Sequence, residues 1–236
     1  MTNLINRILK TLLVLLIPVL VILGSTRLLA TDAYLAFEYG KTSFPPDAYG
    51  FTRQQRFDLA STNIHYVRAH LPDDTLPGQT LDGKAVYNPR EVSHMADVRS
   101  VFQGIVRAWQ IAFLLLLFMG VVFWQKGERA AFASAIQSGG LLTSGIILAI
   151  ALLAIFAWQS WFDLFHRFFF VEGSWLFSYS DTLIRLFPVK FWFDATLIIS
   201  VLSLVGGLTF AFAGWRLGRA IAGGDNNYLY RFLQFH

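Results

Sequence analysis

The stretch AWQIAFLLLLFMGVVFWQ, Ala108 to Gln125, carries no charge and lies between Arg107 and Lys126. As a helix its 18 residues rise about 27 Å against a hydrocarbon thickness of about 30 Å, so with its flanks it crosses a bilayer once. Three further uncharged stretches flank it: 16 residues between Lys10 and Arg27, 33 over Ala130–Phe162, and 21 over Ala195–Trp215. The longest of these is interrupted by Ser138-Gly139-Gly140, which predicts an interfacial lead-in over 130–140 before a crossing. The spacing predicts four transmembrane helices near 8–29, 101–124, 141–160 and 193–215.

Composition agrees. Of 236 residues, 55% are hydrophobic and only 14% are charged, where a soluble domain carries about 25% charge; mean hydropathy is +0.51. Aromatic residues at 16% exclude a disordered chain. The net charge of +4 and pI of 9.5 come from scattered basic residues rather than a stripe, which excludes a nucleic-acid partner. The absence of cysteine excludes disulfides, a thiolate nucleophile and a cysteine-ligated metal. Arg7 and Lys10 ahead of an apolar run resemble a signal peptide, but three more spans follow and the run continues through Arg27, so a retained anchor is expected. Pro18 inside it is a tolerable kink.

Flanking charge sets the expected orientation. Arg7, Lys10, Lys126, Arg129, Arg216, Arg219 and Arg231 fall on one side of four alternating helices, opposed there by Glu128 and Asp225 alone. That side is cytoplasmic by the positive-inside rule. The fold class is therefore an all-α membrane protein with four transmembrane helices, both termini cytoplasmic, and a small extracytoplasmic cap of mixed structure. The chain divides into a first span (1–30), the cap (31–100), a second span (101–124), a cytoplasmic or interfacial loop (125–140), a third span (141–160), an extracytoplasmic loop (161–192), a fourth span (193–215) and a cytoplasmic tail (216–236).

The cap begins as turns and loop around Phe44-Pro45-Pro46-Asp47. Phe51–Val67 reads as a helix, with Thr52 as N-cap and Gln55 three residues on. Pro72, Pro77, Gly78 and Gly83 mark turns, Lys84–Tyr87 a short strand, and Val92 starts a helix that runs into the second span.

Four of the five histidines lie in the outer segments. His94 sits just outside the second span and His166 just outside the third, and each has an aspartate three residues away, Asp97 and Asp163. On a helix that spacing puts both side chains on one face, where a carboxylate orients an imidazole. Arg107, inside the second span with Gln103 and Gln110 in a polar stripe, is a candidate for binding a lipid headgroup. The Trp-, Phe- and Tyr-rich loop Trp158–Trp192 reads either as an interfacial belt or as an acyl-chain recess. No G-x-S-x-G, Walker loop or H-E-x-x-H is present. Ser93, Ser174, Ser178 and Ser180 lie near the histidines without a nucleophile signature. His94, Asp97, Asp163 and His166 also have the donor types of an N/O zinc site, which leaves a metal-dependent lipid hydrolase open beside a non-enzymatic membrane assembly protein.

Several motifs together resemble a small four-span integral membrane family that contains the lipoprotein intramolecular transacylase. They are Tyr49-Gly50-Phe51 through Arg56, His94-Met95-Ala96-Asp97-Val98, Phe165-His166-Arg167-Phe168-Phe169-Phe170, Gly173-Ser174-Trp175-Leu176-Phe177, Asp181 through Pro188, and Phe191-Trp192. The resemblance implies transfer of the sn-2 acyl chain of a diacylglyceryl lipoprotein to the α-amine of its N-terminal cysteine, giving the lyso form. It implies catalytic roles for His94 and His166. Asp97 and Asp163 are expected as orienting groups from spacing alone. Arg107, Trp175, Asp181, Phe187 and Trp192 are expected to bind substrate. No cofactor or metal is expected; the partners are the lipoprotein and membrane lipid, and the site faces outward from a bacterial cytoplasmic membrane. One assignment makes His94 the base and His166 the acid or oxyanion partner; the reverse, or transient acylation of one imidazole, fits the residues equally.

Overall fold

Among the described residues ten elements follow one another: α1 (Thr2–Leu29), α2 (Asp32–Gly40), α3 (Arg53–Val67), β1 (Thr80–Leu81), β2 (Lys84–Ala85), α4 (Pro89–Gln125), α5 (Arg129–Phe156), α6 (Trp158–Phe169), α7 (Thr182–Leu186) and α8 (Val189–Leu233). They come from a computed structural model that describes residues 2–233, with side chains described for 4–223; the side chains of Asp225 and Arg231, and His236 altogether, lie outside that description. Among the described residues four helices, α1, α4, α5 and α8, are long and apolar enough to cross a membrane. The residues group into two compact units.

The first unit takes α1 as far as Gly24, Ala108–Ala149 of α4 and α5, and α8 from Ser200. Leu13, Ile17, Val21, Met119, Phe123 and Ile136 form its core. Lipid is as apolar as leucine, so such helices associate through close contact rather than through water exclusion. The glycines provide that contact. A Cβ on Gly140 would collide with the backbone of Ala211 and Gly207, and one on Gly139 would come within 2.7 Å of Ile17 Cγ1. The helix is not broken there: α5 runs unbroken from Arg129 to Phe156, so Ser138-Gly139-Gly140 do not interrupt it as expected. Thr143 and Ser144 donate back to the carbonyls of Gly139 and Gly140, at 2.8 and 3.0 Å, so their hydroxyls are satisfied inside the helix. A Schellman turn joins α4 to α5. Gly127 has φ of 73°, and Glu128 N donates to Phe123 O at 2.9 Å, a left-handed cap that glycine adopts without Cβ strain.

The second unit comprises Ser25–Arg107 and Ile150–Ile199. The predicted cap helix is α3, and its capping box is complete: Gln55 N donates to Thr52 Oγ1 at 3.1 Å and Thr52 N to Gln55 Oε1 at 2.8 Å. β1 and β2 pair antiparallel, Thr80 opposite Ala85 and Leu81 opposite Lys84. Asp82 and Gly83 between them both have positive φ, as a tight hairpin turn of this hand requires. The start of the cap, expected as loop, is instead the nine-residue helix α2, N-capped by Thr31; Tyr34, Leu35, Glu38 and Tyr39 fall on its buried side. α4 begins at Pro89, three residues before the expected Val92. The third long helix ends at Phe156, and Trp158 opens a separate helix, α6.

Two buried arginine contacts fasten the segment around α7. Arg56 donates to the carbonyl of Arg185 through Nε and Nη2, at 3.0 and 2.6 Å, and to that of Pro45 through Nη1 at 2.8 Å. Arg185 in turn grips Asp47 through Nε and Nη2 at 2.9 and 3.0 Å and lies 3.4 Å over the Phe51 ring. A planar guanidinium suits this double duty of ion pair and ring stacking.

Candidate active site

The site begins with a second capping box, Asn88-Pro89-Arg90-Glu91. Asn88 Oδ1 accepts from Arg90 N and Glu91 N, both at 3.0 Å, while Glu91 Oε2 accepts from Asn88 N at 2.8 Å. Proline at the first helical position costs nothing because that N–H has no partner in a helix. The other oxygen of Glu91 accepts from Leu183 N at 2.7 Å, so a carboxyl only 1% exposed fixes the start of α4 to α7. His94 follows three residues later on α4.

His94 is 8% exposed. Its ring lies 5.0 Å from Phe170 and 5.4 Å from Phe177. His166, on α6, is enclosed by Phe162 at 4.0 Å, Phe165 at 5.4 Å and Trp175 at 5.4 Å. The two imidazoles, 72 positions apart in the chain, lie 6.5 Å apart between centroids with their planes inclined by 22°.

The tautomer of His166 is set by its helix. Nδ1 lies 2.8 Å from the carbonyl oxygen of Phe162, and a carbonyl only accepts, so Nδ1 carries the proton and Nε2 of the neutral ring keeps a lone pair. Burial lowers the His166 pKa below the usual histidine value, against the Phe162 hydrogen bond and the charge of Asp163, which both raise it. Its side chain is therefore neutral at pH 7.

The aspartates do not orient the imidazoles as the spacing suggested. Asp97 is exposed, and among the described residues no hydrogen bond joins it to His94. Asp163 accepts from Gln159 Nε2 at 3.3 Å and acts on His166 only through its charge. The four groups thus fail to converge, and among the described residues no cluster of three or more His, Asp or Glu side chains is arranged to hold a metal ion.

Of the remaining expected residues, Trp175 is the one in the histidine cluster. Asp181 is the N-cap residue of α7 and ties down its own loop, accepting from Ser178 N at 2.8 Å and Asn88 Nδ2 at 3.3 Å. Phe187 is buried in the core of this unit, with Phe191 5.1 Å away and Trp192 at 6.0 Å. Arg107 is exposed and lies thirteen residues along α4 from His94, about 20 Å down the helix axis. The sequence reading gave no role to Glu91, or to Arg56, which it named only as the end of a motif. Asn-Pro-Arg-Glu is a legible capping signature for the first; nothing local marks the second. It left the aromatic loop open between an interfacial belt and an acyl-chain recess, although Phe162, His166 and Phe170 recur at the four-residue helical spacing.

Fold and site together define a multi-pass helical membrane protein with two adjacent, enclosed imidazoles beside its second and third long helices. A family model described as lipoprotein intramolecular transacylase Lit matches residues 11–192, and the chain belongs to that family. An uncharacterized protein of Aquifex aeolicus (strain VF5) is 30% identical over 217 residues, 89% of this chain and 94% of its own. The in meso structure of the membrane integral transacylase Lit from Bacillus cereus matches with a TM-score of 0.79 at 17% identity, over 93% of this chain and 99% of that one. The same Bacillus cereus protein with a histidine-to-arginine mutation gives 0.65 at 14% identity, over 94% and 96%. At such identities the structural likeness speaks for the fold, and membership rests on the match over 11–192. Membership gives this chain the role of a lipoprotein transacylase.

Proposed function

We propose that the protein moves the sn-2 acyl chain of a diacylglyceryl lipoprotein to the α-amine of its N-terminal cysteine, with His94 and His166 as the acid–base pair. The observation that carries this reading is the 6.5 Å approach of the two imidazoles inside an aromatic shell, with Nε2 of His166 left as an acceptor.

Amine and ester belong to one substrate molecule, so the enzyme needs no nucleophile of its own. Holding such partners in reacting geometry is worth about 7–11 kcal/mol of barrier. His166 Nε2 takes the proton as the amine nitrogen bonds to the ester carbon. The imidazolium so formed keeps its Nδ1–H on the Phe162 carbonyl. The carbon–oxygen bond to the glyceryl then breaks, and the His166 imidazolium returns that proton to the departing oxygen by way of His94, which gives up one ring proton as it takes the other, so both imidazoles end the turnover neutral. Between the two possible assignments of base and acid, the fixed tautomer of His166 favours this one.

The basic flanks Arg7, Lys10, Lys126, Arg129, Arg216 and Arg219 support cytoplasmic termini and a site on the outer face of the cytoplasmic membrane. The matched relatives with named organisms come from bacteria, which supports a bacterial membrane. Mass spectrometry of a diacylated reporter lipopeptide, before and after incubation, tests the reaction by locating each chain. His94→Ala and His166→Ala should each abolish conversion at parental expression. Conversion by both variants would refute the acid–base pair.

A further inference from the structure

The histidine cluster contains polar atoms that the protein itself does not satisfy. Trp175 is 6% exposed, and its indole Nε1 is buried without a hydrogen-bond partner among the described residues. The neighbouring Ser174 Oγ and, across the cluster, His94 Nδ1 share that condition. Three of the seven such side-chain atoms among the described residues thus belong to one small group. Buried donors are almost always paired, and an unpaired one calls for an explanation, such as a ligand that completes it. An indole N–H only donates, so what completes Trp175 must bring an acceptor oxygen or lone pair.

The loop holds that donor in place. Gly173 has φ of 82°, and turns closed by Ser174 N on Val171 O at 3.1 Å and Leu176 N on Gly173 O at 3.3 Å bracket Trp175. Arg90 Nη2 donates to Leu176 O at 2.7 Å from the first turn of α4, the helix that carries His94. The indole ring centroid then lies 5.4 Å from that of His166.

We propose that Trp175 Nε1–H is a catalytic donor to the oxyanion formed at the ester carbonyl, an inference that rests on the transacylase reading. As the amine nitrogen bonds to the carbonyl carbon, the carbon–oxygen π pair moves onto oxygen, which accepts from Nε1–H. The pair returns when the bond to the glyceryl oxygen breaks. Trp175 keeps its proton throughout, and the hydrogen bond is strongest while the oxygen is charged.

Two changes test this: Trp175→Phe, and replacement of Trp175 by benzothienylalanine, which substitutes sulfur for the ring N–H at nearly constant shape. Loss of one oxyanion donor lowers kcat by about 10²–10³-fold, with KM for the lipopeptide nearly unchanged. A lipopeptide carrying an anionic tetrahedral phosphonate in place of the sn-2 ester should lose affinity for both variants by a similar factor, while the ester substrate binds as before. Parental kcat in the benzothienyl protein overturns the proposal, since a packing role survives that exchange. Should neither variant assemble, the indole N–H resonance of Trp175 in isotope-labelled parental protein decides: it shifts downfield on adding the phosphonate, and a stationary resonance overturns the proposal. A parental protein that leaves the sn-2 chain in place refutes the transacylase reading itself, and this inference with it. An active parent with an equally active benzothienyl form refutes only the role of Trp175.

Discussion

Glu91 Oε1 accepts a hydrogen bond from Leu183 N at 2.7 Å, across 92 positions of the chain, and its other oxygen caps its own helix through Asn88 N. One carboxyl thus joins the helix that carries His94 to the segment that follows the aromatic loop.

Glu91→Ala leaves two buried N–H groups without acceptors and should cost about 3 kcal/mol. Its Tm in detergent should fall and lipopeptide conversion should fall with it. Glu91→Gln, which keeps one acceptor, should lose less. Parental thermal unfolding of Glu91→Ala would show that the clamp contributes nothing.

The Asp47–Arg185 pair ties stability to acid. Burial raises the Asp47 pKa, but hydrogen bonds from Arg185 and from the backbone of Phe51 and Tyr49, with the Arg185 charge, outweigh it and hold the carboxyl below its usual value. A depressed folded pKa adds stability that is full above the unfolded value, near 3.9, and is lost as pH falls through the folded one. Asp47→Asn should therefore cost about 3 kcal/mol at pH 7 and flatten the acid limb of the stability curve below pH ~4. An unchanged limb would mean that other carboxyls govern acid unfolding.

The glycines of α5 differ sharply. A methyl group on Gly140 meets backbone of α8, whereas one on Gly145 finds nothing within 4 Å. Gly140→Ala should destabilise by about 2 kcal/mol or more, and Gly145→Ala should not destabilise and should add up to about 1 kcal/mol. Unfolding in detergent separates the two, and equal effects would contradict the close packing.

The pH profile of turnover should have two acid limbs. The substrate amine, with pKa of about 7.7–8, sets the upper one. His166, lowered by burial, sets one below about 6.5. An electron-withdrawing group beside the amine should move the upper limb down until the lower one governs kcat/KM. A limb that ignores the amine's basicity would exclude amine deprotonation as the step it reports. In stability the same imidazole acts in the same direction: the unfolded state binds its proton first, so the fold weakens as pH drops below about 6.5.

The spans were legible because charge-free runs of bilayer length have few other uses, and the α3 helix because Thr52 and Gln55 announce their own capping box. What sequence distance hides was not legible. Gly139 and Gly140 read as a break, yet they are the points where another helix comes closest. α2 was too short to stand out beside the prolines that follow it. The two histidines stood out as a pair at matching depth, but their spacing to Asp97 and Asp163 misled. A helical side chain reaches the carbonyl four residues back without leaving its own turn, and at His166 that oxygen displaced the carboxylate.

That oxygen belongs to the main chain, so no side-chain replacement at residue 162 can delete it. The imidazole is steered by a group that every residue type carries, so a replacement at residue 162 changes the ring packed on His166 while the ring nitrogen stays protonated on the same side. Removing the steering requires unwinding a turn of the helix itself. A proline at position 166 would do that, but it would take the imidazole with it.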